Sequence, residues 1–415
     1  MRNYQPFIAS LRKLIEEYPG KIENPWKKLA ISSVNGLASK ELRSLVSLEE
    51  RRASGAFFTD TELGSSVLKS YNLSFGENVN FYDPACGASN LLISVKNHFS
   101  GKLSKKNISL EVFGTDIHKE FIEASKLRLE ISDLLLNSRN SDYSKKILVA
   151  DGLKSNTFYQ NATHVITNPP FNQIDSPFDI DWASGKVSAA ALFIDVISKN
   201  VNPGTEIIAI LPDVLRSGSR YEKWRAHISN HCVVTGIKLF GQFDNYADVD
   251  VFSVFLKKKE QPCEETISPW ITTTINESKL SDLFNVSVGT VVDNRDPHKG
   301  IKRPYLISKG LEGWTECNYT DLTRKHKGKA IQSPFVVIKR TSRFGDNHRA
   351  IATLVTIPEQ VYVDNHLIVL QPKKGGIATC RRILKILKTK SIDDWIDSQI
   401  RCRHLTVKVV SNIPL

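Results

Sequence analysis

The stretch Val79-Asn80-Phe81-Tyr82-Asp83-Pro84-Ala85-Cys86-Gly87-Ala88 decides how this chain folds. Four residues of strand character run into an acid, a proline and a group of small residues. Residues 90–99 then carry helical spacing. This is the strand–turn–helix opening of an α/β unit, and the small residues let a ligand approach the backbone closely. Outward from it the pattern repeats. Further strands are expected at 110–114, 146–150, 164–167, 206–211, 233–240 and 251–256, and helices at 120–134, 188–200 and 219–230. Such alternation predicts an α/β fold, a mostly parallel sheet with helices on both faces.

The flanks differ from this centre. Residues 1–50 read as a helical segment, with Leu11, Leu14 and Ile15 and then Leu42, Leu45 and Val46 at helical spacing. Downstream, the polar run KKKEQPCEE at 257–265 breaks the alternation. The expected division is a helical segment 1–50, an α/β domain 51–260 and a third region 261–415. That region reads as α+β or β-rich, with strands joined by Gly-, Asn- and Arg-rich loops and one amphipathic helix near 381–390.

Charge follows the same division. The 415 residues carry a formal charge of +12, yet the first 260 hold 32 basic and 29 acidic residues. Residues 261–415 hold 24 and 15. A nearly neutral front and a basic back assign any polyanion partner to the back. No apolar run of ~18 residues exists to span a membrane. The first 20 residues lack the apolar core of a secretion signal. The six cysteines are scattered, with no CxxC and no zinc spacing, so free thiols in a reducing compartment and no metal are expected.

Chemistry gathers at the ends of the expected strands. Asp83 ends the first. Asp116, in Gly114-Thr115-Asp116-Ile117, ends the second, placed to accept the hydroxyls of a ribose. Asp151 ends the third, where it could accept from an adenine amino group. Any one of these acids taken alone is more often a turn or capping residue. Three in succession favour a cofactor that contains a nucleoside. The fourth strand ends in Asn168-Pro169-Pro170-Phe171. Two prolines fix φ and remove two donors, leaving the Asn168 amide oxygen and the Pro169 carbonyl as rigid acceptors for an incoming NH2 group. Phe171 offers a face for a ring to stack on.

Taken together, Asp83-Pro84-Ala85-Cys86-Gly87, Gly114-Thr115-Asp116-Ile117, Asp151 and Asn168-Pro169-Pro170-Phe171 resemble motifs I to IV of the S-adenosylmethionine-dependent adenine-N6 DNA methyltransferases. Ser54-Gly55-Ala56-Phe57-Phe58-Thr59 is similar to the motif X that precedes them in the gamma group and in type I modification subunits. The resemblance runs from about residue 50 to the end, and implies a Rossmann-like methyltransferase sheet followed by a DNA target-recognition domain. It implies Ala56, Phe57 and Thr59 at the methionine end of S-adenosylmethionine, and Asp83, Ala85 and Gly87 as its cradle. Asp116 would lie on the ribose, and Ile117 with Asp151 on the adenine. Asn168, Pro169 and Pro170 would form the catalytic loop, with Phe171 and Phe243 stacking on the target base and Phe240 a rival to Phe243. Lys302, Arg303, Lys339, Arg340, Arg343 and Arg349 would contact double-stranded DNA. A restriction endonuclease of the same system would be a further partner, in the cytoplasm.

Two departures from the family wording stand out. The cradle continues Gly87-Ala88-Ser89-Asn90 where the family has Gly-x-Gly-Gly, and motif X ends Thr59-Asp60 rather than Thr-Pro. Ser89 and Asn90 are expected to cap the following helix. Two other readings stay open on the sequence alone. One is a DNA-binding protein that keeps the fold with weak or lost turnover. The other is an RNA or protein amino-methyltransferase.

Overall fold

The computed structural model describes residues 4–38, 41, 61–138, 141–155, 158–242, 250–263, 270, 278–342, 346–400 and 403–415. The chain divides into two compact units, Met1–Trp270 and Ile271–Leu415. The division falls ten residues beyond the position expected from the polar run.

Unit 1 is built on a seven-stranded sheet. Its strands are β1 (Asn78–Asp83), β2 (Ser109–Asp116), β3 (Ile147–Val149), β4 (His164–Thr167), β5 (Glu206–Pro212), β6 (Cys232–Gln242) and β7 (Asp250–Lys258). They lie in the order β3-β2-β1-β4-β5-β7-β6. The first five are mutually parallel, and β7 runs antiparallel to both neighbours. Every residue of β4 and β5 is buried. Ile208 and Ile210 join the core on one face, while Ile207, Ala209 and Leu211, pointing the other way, are equally inaccessible. Continuous apolar runs of this kind mark strands covered on both sides. All seven strands lie where the sequence places them, most of them a residue or two longer at their ends.

The helices α1 (Gln5–Glu16), α2 (Trp26–Val34), α3 (Thr61–Lys69), α4 (Asn90–Ser104) and α5 (Lys119–Leu136) precede or follow the first two strands. The N-terminal helices do not stand apart, since α1 and α2 both pack on α5. Leu11, Leu14, Trp26 and Ala30 enter the same core as Leu92 and Ile131. The Trp26 indole donates to the Leu14 carbonyl at 2.7 Å, and Tyr4 meets Phe121 edge-on at 5.2 Å. Next come α6 (Ala189–Asn200), the short α7 (Asp213–Ser217) and α8 (Glu222–His231).

Unit 2 begins with α9 (Leu280–Leu283) and then β8 (Phe284–Val288), β9 (Ile301–Leu306), β10 (Glu316–Cys317), β11 (Thr323–His326), β12 (Phe335–Lys339), β13 (Ala352–Val355), β14 (Tyr362–Val363) and β15 (Leu367–Pro372). They form a five-stranded sheet, β8-β15-β12-β13-β10, and a three-stranded one, β11-β9-β14. The expected helix near 381–390 starts earlier, as α10 (Gly376–Leu387), and two more follow, α11 (Lys390–Gln399) and α12 (Val407–Ser411). Ile383, Leu387, Ile392 and Ile396 of α10 and α11 pack on Val336 and Ile338 of the sheet. No helix among the described residues is long and apolar enough to cross a membrane.

Candidate active site

The strand order reverses between β1 and β4, because β2 and β3 lie to one side of β1 and the chain returns to its other side. In a parallel sheet this is where a crevice opens at the carboxyl ends. Asp83 ends β1 and Asn168 follows β4, and the two strands are direct partners, with Tyr82 opposite Val165. Long-range topology thus brings together two motifs 85 residues apart.

The loop after β1 is held from below and from the side. The Ala85 amide donates to Asp83 Oδ1 at 3.1 Å. The Cys86 amide donates to the Thr115 carbonyl at 2.9 Å, and the Gly87 amide to Asp116 Oδ2 at 3.0 Å. Asp116 Oδ1 accepts the His118 amide at 2.9 Å. Asp116 is therefore the link between the first two strand ends, and each of its oxygens keeps a lone pair for a hydroxyl group. Gly87 has φ +51°, a left-handed conformation with no atom near the position of a Cβ, so the space above the loop is clear. Gly152 matters for a different reason. A Cβ there would lie 2.2 Å from the Pro84 carbonyl, so only glycine lets the chain leaving β3 rest on the loop after β1.

Both acids are perturbed. Burial pushes the Asp83 carboxyl up to about 7, against the Ala85 amide and the Thr167 hydroxyl, which favour its charged form, and with the Asp116 charge adding to the rise. Burial likewise raises Asp116, opposed by the His118 and Gly87 amides and the His118 ring. Asp151, half exposed, accepts the Leu153 amide at 3.0 Å and lies 3.5 Å from Lys154. Beside Asp116, the Ile117 side chain is 61% exposed, an apolar shelf at the strand end.

On the other side of the crevice, Pro169 is buried and Asn168, Pro170 and Phe171 are half-buried, with Phe171 packed against the core. The loop beyond is anchored. The Asn172 carbonyl accepts the Ala189 amide at 2.9 Å, and a two-residue ladder joins Gln173–Ile174 to Val187–Ser188. The Trp182 indole donates to the buried Asp195 at 3.2 Å. Asp195 also takes His227 at 2.8 Å and Lys199 at 2.9 Å. Phe240 has Lys238 over its ring at 5.1 Å and packs on the core, so one of its faces is taken. Ala56, Phe57, Thr59, Phe243 and Arg343 lie outside the described residues.

Two expectations are corrected. Neither Ser89 nor Asn90 caps α4. Ser89 takes the N-cap position with φ +64° and no side-chain capping bond, because its hydroxyl faces Ser125 Oγ at 2.7 Å. Asn90 Oδ1 accepts from Arg128 at 2.7 Å. Arg349, expected on DNA, is fully buried in unit 2. It is ion-paired with Asp397, and donates to Ser342 at 3.1 Å and to the Ile400 carbonyl at 3.3 Å. Its guanidinium is a structural tie between the chain before β13 and α11.

Arg340 is half-buried and turned toward the Leu405 and Asn365 carbonyls at 3.3 and 3.4 Å, and Lys339 is half-buried at the end of β12. Lys302 is exposed and Arg303 half-buried on β9. Sequence reading missed Lys325, which the antiparallel register of β11 places directly opposite Lys302. The signal was the basic run Arg324-Lys325-His326-Lys327. Like charges facing across a ladder are unfavourable, and both lysines are exposed.

Comparisons with known proteins bear on both motifs and fold. The N-6 DNA Methylase family model matches residues 43–282, more than half of the chain. Among curated proteins no match is found. A modification subunit of a putative type I restriction enzyme from Vibrio vulnificus is 17% identical, with a TM-score of 0.43 over 57% of this chain and 50% of that one. The type IIG restriction endonuclease BpuSI is 16% identical, with a TM-score of 0.47 over 100% of this chain and 67% of that one. The ATP-dependent type ISP restriction-modification enzyme LlaBIII is 9% identical, with a TM-score of 0.50 over 98% of this chain and 43% of that one. The chain thus spans half or less of the Vibrio and LlaBIII proteins. With the strand order, the two strand-end motifs and a family match over residues 43–282, the chain belongs to the N-6 DNA methylase family.

Proposed function

We propose that this chain methylates double-stranded DNA sequence-specifically, transferring the methyl group of S-adenosylmethionine to the N6 amino group of a flipped-out adenine. The setting we infer is a restriction-modification system with a partner endonuclease. One observation carries the reading: the acid-bearing loop after β1 and the Asn-Pro-Pro-Phe loop after β4 flank the same switch point of a methyltransferase sheet.

The residues present suit the cofactor. The clear space above Gly87 accommodates a ligand close to the backbone. Asp116, with a lone pair left on each oxygen, suits the two ribose hydroxyls, while Ile117 and Asp151 suit an apolar ring edged by an amino group. Ala56, Phe57 and Thr59 would close the methionine end. S-adenosylmethionine, when bound, supplies a methyl group on a positively charged sulfur.

The exocyclic amine of adenine is a poor nucleophile because its lone pair is delocalised into the ring. The Asn168 amide oxygen and the Pro169 carbonyl accept its two hydrogens, which favours a pyramidal nitrogen and frees the lone pair for in-line attack. Pro170 stiffens the loop, so these dipoles need no reorganisation during the reaction. Phe171, with Phe243 as second aromatic, stacks on the base. Unstacking it from the duplex costs a few kcal/mol, offset by that stacking and by contacts along the backbone. In unit 2, Lys302, Arg303, Lys339, Arg340 and Arg343 are assigned to DNA, and Arg349, being enclosed, is not.

The test is transfer of tritiated methyl to unmethylated DNA, followed by nucleoside analysis. Label in N6-methyladenine is expected; label in another nucleoside, or none, overturns the reading. Asn168→Ala should lower incorporation by about 100-fold or more with DNA affinity within twofold. Near-normal turnover in that variant would remove the acceptor role.

A further inference from the structure

Where the cradle departs from the family wording, two side chains of α5 hold it from beneath. Ser125 and Arg128 lie three residues apart on α5, hence on one face of the helix. Together they grip four consecutive residues of the loop. Ser125 Oγ donates to the Gly87 carbonyl at 2.9 Å and faces Ser89 Oγ. Arg128 Nη1 donates to the Ala88 carbonyl and to Asn90 Oδ1. Its Nε donates to the Ser33 carbonyl of α2 at 2.9 Å. All the side chains in this set are buried apart from Ser33, with Ser89, Ser125 and Arg128 fully inaccessible.

Arg128 is an unusual choice for such a position. Among the described residues no carboxylate lies within ion-pair distance of it, and its Nη2 has no hydrogen-bond partner. Burial draws its pKa down to about 9, which still leaves it charged near neutrality. A buried cation held only by carbonyls and an amide is costly to the fold. What the guanidinium provides is geometric: its planar fork reaches two elements at once, the loop on one side and α2 on the other.

We propose that Arg128 is a positioning residue of the cofactor cradle, holding the loop 87–90 in its binding shape and coupling cofactor affinity to the docking of α2. Ser89 and Asn90 are then the counterparts of Ser125 and Arg128, a polar lock standing where the family has glycines. The proposal rests on the S-adenosylmethionine reading above. It predicts that an event at the loop is felt at Ser33, and that loosening α2 weakens the cofactor site.

The experiment measures binding of S-adenosylhomocysteine to the full chain by calorimetry, beside trypsin cleavage after the exposed Lys27 and Lys28 of α2. Wild type should bind, and the ligand should slow cleavage there. Absence of wild-type binding would overturn the cofactor reading itself. Arg128→Met should bind at least 10-fold more weakly, raise the KM for S-adenosylmethionine more than it lowers kcat, and lose ligand protection of α2. Binding within twofold of wild type would overturn the proposal while leaving the cofactor reading intact. Asn90→Ala keeps the Ser33 and Ala88 bonds and carries the test if Arg128→Met does not fold. It should weaken binding several-fold, and combining it with Arg128→Lys should add less than the two separate effects. Unchanged affinity in Asn90→Ala, or full additivity, would also overturn the lock.

Discussion

The two units differ in how fully they compensate buried charge. In unit 2 each buried charged side chain has a partner able to carry the opposite sign. Arg324 sits on Asp293, Arg349 on Asp397, Asp364 on His366 and Asp393 on His348. In unit 1 Lys96 meets Asp133 and Arg216 meets Asp213, while the buried Arg225 is held by the Leu215 and Gly218 carbonyls. Around the cradle the pattern stops. Among the described residues no basic side chain lies within ion-pair distance of Asp83, Asp116 has only the favourable field of the His118 ring, and Arg128 pairs with no acid. Charge left uncompensated inside a fold is retained at a cost to stability, and at the cradle two acids and an arginine share that condition around one loop. The contrast separates Arg349, which ties a domain together through an ion pair, from Arg128, which grips the cradle loop without one.

The largest effect that would break this comparison comes from Arg349. Its replacement by Met removes the ion pair with Asp397 and the bonds to Ser342 and Ile400. Breaking a buried pair from one side costs about 3–5 kcal/mol. Hydrogen exchange at the β12 amides should accelerate accordingly, and DNA affinity should collapse. Binding of S-adenosylhomocysteine, assigned to unit 1, should stay within twofold. Loss of both activities together would mean that Arg349 is not confined to unit 2 in its effect.

This division was only partly legible in the sequence. The strand ends were readable because their signals are local: an acid, small residues or Asn-Pro-Pro follows each apolar run directly, and strand order is set by where those runs can pair. The helix α11 was missed because Ser391, Asp393, Asp394 and Asp397 make its segment polar, and its apolar stripe is short, carried by Ile392 and Ile396 with Trp395 packed beside them. The arginines were not readable either. Arg349 stands in a Gly/Asn-rich stretch that reads as an exposed basic loop, and its partner Asp397 lies 48 residues away. Arg128 looks like one more charged residue of an amphipathic helix until α2 is laid against it. The capping role expected of Ser89 and Asn90 failed for the same reason: propensity ranks a residue against its own helix, and here a neighbouring helix offered better partners.

A second effect sharpens the comparison from the acidic side. Asp83 has a folded pKa of about 7 against an ordinary 3.8, so the folded chain holds a proton that the unfolded chain has lost between about pH 4 and pH 7. Stability therefore falls as pH rises through that window, and the deficit is complete above 7. Asp83→Asn keeps an acceptor for the Ala85 amide and removes the charge. Its advantage in unfolding free energy should be near zero at pH 4 and grow to about 4 kcal/mol at pH 8. A gain independent of pH would mean that the buried charge is not what destabilises wild type.

The smallest effect concerns charge that is exposed rather than buried. Lys302 and Lys325 face each other on the β9–β11 ladder, an arrangement that a stability-driven surface has no reason to keep. Lys302→Ala should leave stability within about 0.5 kcal/mol, on the favourable side, because relief of like-charge repulsion across a ladder is worth a few tenths. If the pair meets phosphates, the slope of log affinity against log salt should fall by about one for each lysine removed, equally for all DNA sequences. The double variant should then lose about two. An unchanged slope would place the DNA elsewhere on unit 2 and leave the facing lysines without a role. A slope that falls while sequence preference holds would make β9–β11 a backbone grip, with base reading left to other residues of that unit.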